Sequence, residues 1–236
     1  MAIFDPWMRG ASALRLVRRA EGGTRPTTGQ YYASMLRLHE RLHGEVWSAE
    51  AWLEAGRTHL ARGDLIAAEE ALRQALVIGT PHPDAGWLYG TVLFRLGHPG
   101  AAAHVLEDAV RHRPSHARAH HQLALVYRAL GRSREELRQL RRAIEADPRF
   151  PEAWFQLGNC LSLRREEAEA IAAWRAALDA DPDHVGALHN LGRVLARAGD
   201  REGALELWRR LERIDPETAA LLAVGLEPVK RAPAGA

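Results

Sequence analysis

Trp154-Phe155-Gln156-Leu157-Gly158-Asn159-Cys160-Leu161, followed by Ala170, Trp174, Ala177 and Pro182, is the stretch that decides how this chain folds. Moved forward by 34 residues, the pattern returns as Leu188, Leu191, Gly192, Leu195, Ala204, Trp208, Leu211 and Pro216. Moved back by one period, it reads His120, Leu123, Ala124, Tyr127, Glu136, Leu140, Ala143 and Pro148. Two earlier copies run through Gly90, Leu93, Gly97, Ala102, Leu106, Ala109 and Pro114, and through Trp52, Gly56, Gly63, Ala68, Leu72 and Ala75. A fixed period of this length marks stacked supersecondary units, each too small to bury its own apolar face.

Each unit reads as two amphipathic helices joined by a tight turn. In the copy at 117–150 the first helix spans about 117–130 and ends at Gly131, a residue suited to a left-handed C-cap. The second opens with Ser133-Arg134-Glu135-Glu136, which has capping-box spacing, and stops before Asp147-Pro148 because proline cannot continue the ladder. Asp64, Ser133 and Asp200 are all placed to cap a second helix, and Pro99 falls where a first-turn proline is tolerated. Ala68, Ala102, Ala170 and Ala204 are small enough to let the two helices of a unit approach. Leu72, Leu106, Leu140, Trp174 and Trp208 are expected to fill the space between neighbouring units.

These residues resemble the tetratricopeptide repeat, whose pattern is W-x2-L-G-x2-Y, then A-x3-F, then P. The resemblance covers 47–218, with five units at 49–82, 83–116, 117–150, 151–184 and 185–218. Arg165 stands where the fourth unit would have its turn glycine, Glu136 where the third would have its small alanine, and Thr80 where the first would have its proline. Trp87 sits one position late. The resemblance implies an all-α fold: a right-handed superhelical solenoid of antiparallel helix pairs. Residues 1–29 are read as a basic segment and linker and 30–46 as a capping helix, with Tyr31, Met35, Leu38 and Leu42 on one stripe. Residues 219–236 are read as a short apolar helix, including Leu221 and Leu222 and stopping at Gly225, then a tail.

Composition narrows the function class. The chain has 236 residues and a formal net charge of only +2, with acidic and basic residues interleaved, which speaks against nucleic acid as a partner. A single cysteine, Cys160, excludes an internal disulfide framework. No run approaches the roughly 18 apolar residues of a membrane span. The N-terminus has no continuous apolar region of a secretory signal, so a cytoplasmic location is expected. Residues 6–19 can form a basic amphipathic helix with Trp7, Ala11, Leu14 and Val17 opposed by Arg9, Arg15, Arg18 and Arg19, or remain a tail. Contact with a membrane surface through them stays open.

Neither enzyme nor metal chemistry is expected. Nucleophile motifs, phosphate-binding glycine loops and paired carboxylates are absent, and the segments flanking the repeats are short for a catalytic core. His112, His116, His120 and His121 cluster, but Pro114 interrupts the helix between the first two and His120 occupies the packing position of Trp154. Cys160 reads as a small buried hydrophobe. No cofactor is expected.

By resemblance, the first helix of each unit lines a concave groove that binds a protein or peptide. Carried over by register, one ladder is Leu53, Trp87, His121, Phe155 and His189, and a second is Arg57, Thr91, Leu125, Asn159 and Arg193. A third is Glu54, Leu88, Gln122, Gln156 and Asn190. The amides of Gln122, Gln156, Asn159 and Asn190 suit a peptide backbone, and Arg57, Arg128, Arg193 and Arg197 suit acidic groups. Leu53 and Arg57 replace the lysine and asparagine of the carboxylate clamp found in some members, which disfavours that activity. Two readings follow: an adaptor that holds a partner's peptide segment, or a scaffold that assembles with itself through its N-terminal segment and weakly capped ends.

Overall fold

The computed structural model describes residues 48–78 and 83–220. The capping helix at 30–46, the segment 6–19, Thr80 and the terminal Leu221, Leu222 and Gly225 lie outside them. Among the described residues there are ten long helices and no strand. They are α1 (Ala49–Ala61), α2 (Leu65–Ile78), α3 (Pro83–Arg95), α4 (Pro99–His112), α5 (Ala117–Ala129), α6 (Ser133–Ala146), α7 (Pro151–Leu163), α8 (Glu167–Ala180), α9 (Val185–Ala198) and α10 (Arg201–Ile214). Odd-numbered helices open a repeat and even-numbered helices close it. The chain falls into two compact units, Met1–His112 and Arg113–Ala236. The first contains α1–α4 and the second α5–α10.

Each hairpin turns on one residue with a positive φ. Gly63, Gly97, Gly131 and Gly199 hold φ between 72° and 86° at four of the five turns. The fifth uses Arg165, at φ 62°, where a side chain strains the left-handed backbone by roughly 1–2 kcal/mol. Arg165→Gly is therefore expected to raise stability, by about 0.5–1 kcal/mol once glycine's extra freedom in the unfolded chain is deducted. Urea unfolding of both proteins checks the sign.

Repeats end where proline forbids more helix. Asp147, Asp181 and Asp215 each precede a proline and carry φ of −143°, −134° and −142°, the extended backbone that a following proline enforces. Asp147 and Asp181 then accept the backbone N–H of Arg149 and Asp183 at 3.0 and 3.1 Å, turning the chain into the next helix. Asp215 does the same for Thr218, and residues 216–220 begin a further helical turn. Asp64 and Asp200 cap α2 and α10 through the N–H groups of Ala67 and Gly203. Ser133 does not cap α6: it is the first helical residue, and the N-cap position belongs to Arg132, which makes no side-chain cap bond. Two caps come from imidazoles two periods apart. His116 accepts from Ala119 N at 3.1 Å and His184 from Ala187 N at 3.2 Å.

The core of each unit is knob against notch. Ala68, Ala102, Ala170 and Ala204 are fully buried where paired helices touch. Leu72, Leu106 and Trp174 fill space within their own repeats, not the space between repeats that the register suggests, whereas Trp208 reaches beyond its repeat and donates to the Ala219 carbonyl at 3.1 Å. A Cβ added at Gly56 would lie 2.5 Å from Leu72, one at Gly90 2.5 Å from Leu106, and one at Gly158 2.5 Å from Trp174. The glycine of the first helix is thus a seat for the large side chain of the second. The third repeat carries Ala124 in place of this glycine, and the fully buried Leu140 is its knob. Glu136 replaces the small residue of that repeat and is nonetheless buried, and burial raises its carboxyl pKa.

Candidate functional site

The ladders read from the sequence fall on odd helices, but their side chains sit at different depths. Arg57 and Trp87 belong to the first unit. Arg57 donates to Asp84 at 2.6 Å and lies 3.8 Å from Glu54, so its charge is met locally. Trp87 is half-buried and packs against the core of that unit, while Leu53 and Leu88 lie within it.

The remaining residues belong to the second unit. His121 is only 8% exposed and packs edge-on to Phe150, with ring centroids 5.1 Å apart. It is a packing residue and offers no ring at the surface. Phe155 is half-buried for a related reason. Its ring lies 4.7 Å from that of His184, and Gly186 leaves space for it, since a Cβ there would come within 2.6 Å of Phe155 Cζ. The aromatic ladder thus joins α7 to the start of α9.

The polar ladder remains at the surface. Asn159 Oδ1 accepts from Trp174 Nε1 at 3.1 Å and from Asn190 Nδ2 at 2.7 Å. Gln156 Oε1 accepts from Arg128 Nη1 at 2.5 Å. His189 Nδ1 lies 3.3 Å from Asn190 Oδ1. The carbonyl ends of Gln156 and Asn159 are therefore held from within, and each amide presents its N–H2 end as donor. Gln122, half-buried on α5, and Arg193, exposed on α9, make no side-chain hydrogen bond within the described residues. Of the four arginines expected to read acidic groups, Arg57 and Arg128 are engaged as above and Arg197 donates to Glu167 at 3.0 Å. Only Arg193 retains an uncommitted guanidinium.

The sequence did not reveal the bond from Trp174 to Asn159 or the tie from Arg128 to Gln156. The spacing of 28 residues in the latter is one period less six residues, which do not share a helix face, so the repeat register carried no signal for it. The histidine cluster resolves into separate tasks. His120 Nε2 donates to the Pro114 carbonyl at 2.9 Å, as Trp154 Nε1 does to Pro148 one period later. His112 bonds the Asp108 carbonyl and His116 caps α5. Among the described residues no group of three or more His, Cys, Asp or Glu could hold a metal ion. Cys160 is buried, which pushes its thiol pKa up and away from reactivity. No described helix is long and apolar enough to cross a membrane.

Family comparisons agree with this architecture along the chain. The middle TPR-like domain of cilia and flagella-associated protein 70 matches residues 29–146, half of the chain. Tetratricopeptide-repeat models match residues 140–172 and 164–219. The chain belongs to the tetratricopeptide-repeat family. Solved structures of the same fold include YrrB, described as a TPR protein with an unusual peptide-binding site. It is 24% identical, with a TM-score of 0.60 over 82% of this chain and 97% of that one. TTC0263, a thermophilic TPR protein from Thermus thermophilus, is 21% identical, with a TM-score of 0.60 over 76% and 100% of the two chains. MamA from Desulfovibrio magneticus RS-1 is 22% identical, with a TM-score of 0.60 over 71% and 95%. Curated proteins yield no match. At these identities the likeness establishes the TPR fold and nothing about partners.

Proposed function

We propose that this TPR chain is a non-catalytic protein-interaction adaptor that holds an extended segment of a partner protein against the polar ladder of α5, α7 and α9. The observation that carries the reading is the orientation of the amides. Gln156 and Asn159 have their carbonyl oxygens tied down by Arg128, Trp174 and Asn190, so the surface offers fixed donors. An extended peptide presents carbonyl oxygens at intervals and matches such a row without demanding a particular side chain. Arg193 adds one site for a carboxylate on the ligand.

The substitution that tests the reading keeps the internal bonds and removes the outward donors. In Asn159→Asp and Gln156→Glu an oxygen remains for Trp174, Asn190 and Arg128, while the N–H2 group becomes an acceptor. Random peptides displayed on phage are selected on the wild-type protein, and the affinity of the selected peptides is measured by fluorescence anisotropy. A loss of at least tenfold in the double variant is expected, with the helical signal unchanged. Equal affinity for wild type and variant would remove the ladder as the binding surface.

A further inference from the structure

The third repeat departs from the other four at two positions flanking its own turn. Position 128 holds an arginine where they carry Leu60, Phe94, Ser162 and Ala196, and position 136 holds a glutamate where they carry Ala68, Ala102, Ala170 and Ala204. A base and an acid written into one hairpin are expected to pair, and here they do not. Arg128 Nη1 donates instead to Gln156 Oε1 of the next repeat at 2.5 Å. Glu136 is only 4% exposed, and its carboxyl makes no hydrogen bond or ion pair within the described residues.

A buried carboxyl without a partner is tolerable while it keeps its proton, but once ionised it needs a cation. The neighbouring charges decide which cation is available. Cys160 on α7 feels the Glu136 charge but is itself a buried thiol. Arg164, at the turn after α7, donates to Glu166 at 2.7 Å, and Arg132, at the turn before α6, donates to Glu135 at 2.8 Å. Both of those arginines already neutralise a carboxylate. Arg128 is different: it is exposed and its acceptor is a neutral amide. Its charge also acts on Glu136, opposing the rise that burial imposes on the carboxyl pKa. A guanidinium can hold a carboxylate through two parallel bonds, which outcompetes a single bond to an amide carbonyl.

We propose that Arg128 exchanges partners with the ionisation of Glu136, holding the Gln156 carbonyl while Glu136 is protonated and turning to the carboxylate once it is not. The proton of Glu136 passes to solvent in the exchange. Once Arg128 has left, the Gln156 amide can turn either end outward. The row of fixed donors then keeps this member below the ionisation and loses it above. Glu136 and Arg128 are thus positioning residues for the ladder. The consequence for a partner rests on the adaptor reading, whereas the exchange itself does not.

The exchange is read in the full chain without any partner, from the side-chain N–H2 signals of Gln156 in ¹⁵N-edited NMR, assigned by their loss in Gln156→Ala. Between pH 4.5 and 7.5 the wild type is expected to show one single-proton step in these signals, with its midpoint above the ordinary 4.5. His121 titrates at about 4, below that window. Glu136→Gln and Glu136→Ala should both abolish the step and leave the signals at their acid position throughout. Alanine is the residue of the other four repeats, so the hairpin tolerates it. Phage peptides selected on the wild type at the acid end of this range should bind about threefold more weakly above the step, the worth of one hydrogen bond, and the difference should vanish in Glu136→Gln. A wild type without the step, or a step that survives in either Glu136 variant, would overturn the exchange. Peptide affinity that ignores the step would overturn its control of the ladder, while the ladder itself is judged separately by the Asn159→Asp, Gln156→Glu double variant.

Discussion

Trp174→Ala is expected to lower the unfolding free energy of the second unit by about 3–5 kcal/mol, the range for truncating a large aromatic in a packed core. The indole is 1% exposed and fills a seat made by Gly158. Neighbouring atoms can collapse only partly into the vacated space, because Ala170, Ala173 and Ala177 around it are small and already buried. The truncation also deprives Asn159 Oδ1 of one of its two donors. Trp174→Leu separates the two effects. Leu72 and Leu106 already sit over glycines at the matching positions of the first two repeats, so leucine fits the seat. Its cost should be about 1–2 kcal/mol, from lost volume and the lost hydrogen bond. Urea unfolding followed by circular dichroism gives both values. An alanine variant no weaker than the leucine variant would mean that the indole is not packed as described.

The second large effect is on pH. Burial holds the His121 imidazole down to about 4, with Glu152 opposing the shift and Arg128 adding to it. The folded chain therefore binds fewer protons at this site than the unfolded chain, whose imidazole titrates near 6.5. The stabilisation is present above about pH 6.5 and is lost as pH falls toward 4. The full span corresponds to roughly 3 kcal/mol. His59 shifts in the same direction, through burial, and adds to the fall. Glu136 acts the other way. Its raised carboxyl pKa contributes stability at low pH that is lost as pH rises through the folded value, so it offsets part of the loss near the acid end. His121→Phe should flatten most of the acid slope. It should also raise stability at pH 7 by about 1 kcal/mol, because Nε2 of His121 is buried without a hydrogen-bond partner. The neighbouring repeat already holds an aromatic ring, Phe155, at this position. Stability measured by urea between pH 4.5 and 7.5 decides it, and a parallel slope in the variant would assign the acid loss to other groups.

How much of the site could be read from the chain differs from residue to residue. The placement of Gln156, Asn159 and Asn190 on first helices follows from the sequence because a 34-residue register assigns every copy of a position to one helix face. Register says which way a side chain points and not how far it stands from its neighbours. His121 and Asn159 are both on first helices, yet one is packed edge-on to Phe150 while the other reaches solvent. Ser133 shows a related difficulty. The capping-box spacing is present, but the turn brings Arg132 to the N-cap position, so the serine hydroxyl enters the helix one residue late.

The sequence by itself determined the helix pairs and their ends. Left-handed turns favour glycine, prolines bar further helix and small residues recur where helices touch, so local chemistry leaves its mark at most periods, with Arg165 and Glu136 as the departures. Tertiary structure alone decided which polar groups are spent internally and which remain for a partner. The bonds from Arg128 to Gln156, from Trp174 to Asn159 and from Asn190 to Asn159 join different helices. Such bonds depend on how the helices pack in space, and a hydrogen bond forms or fails over a few tenths of an ångström. No periodic pattern in a sequence is written at that precision.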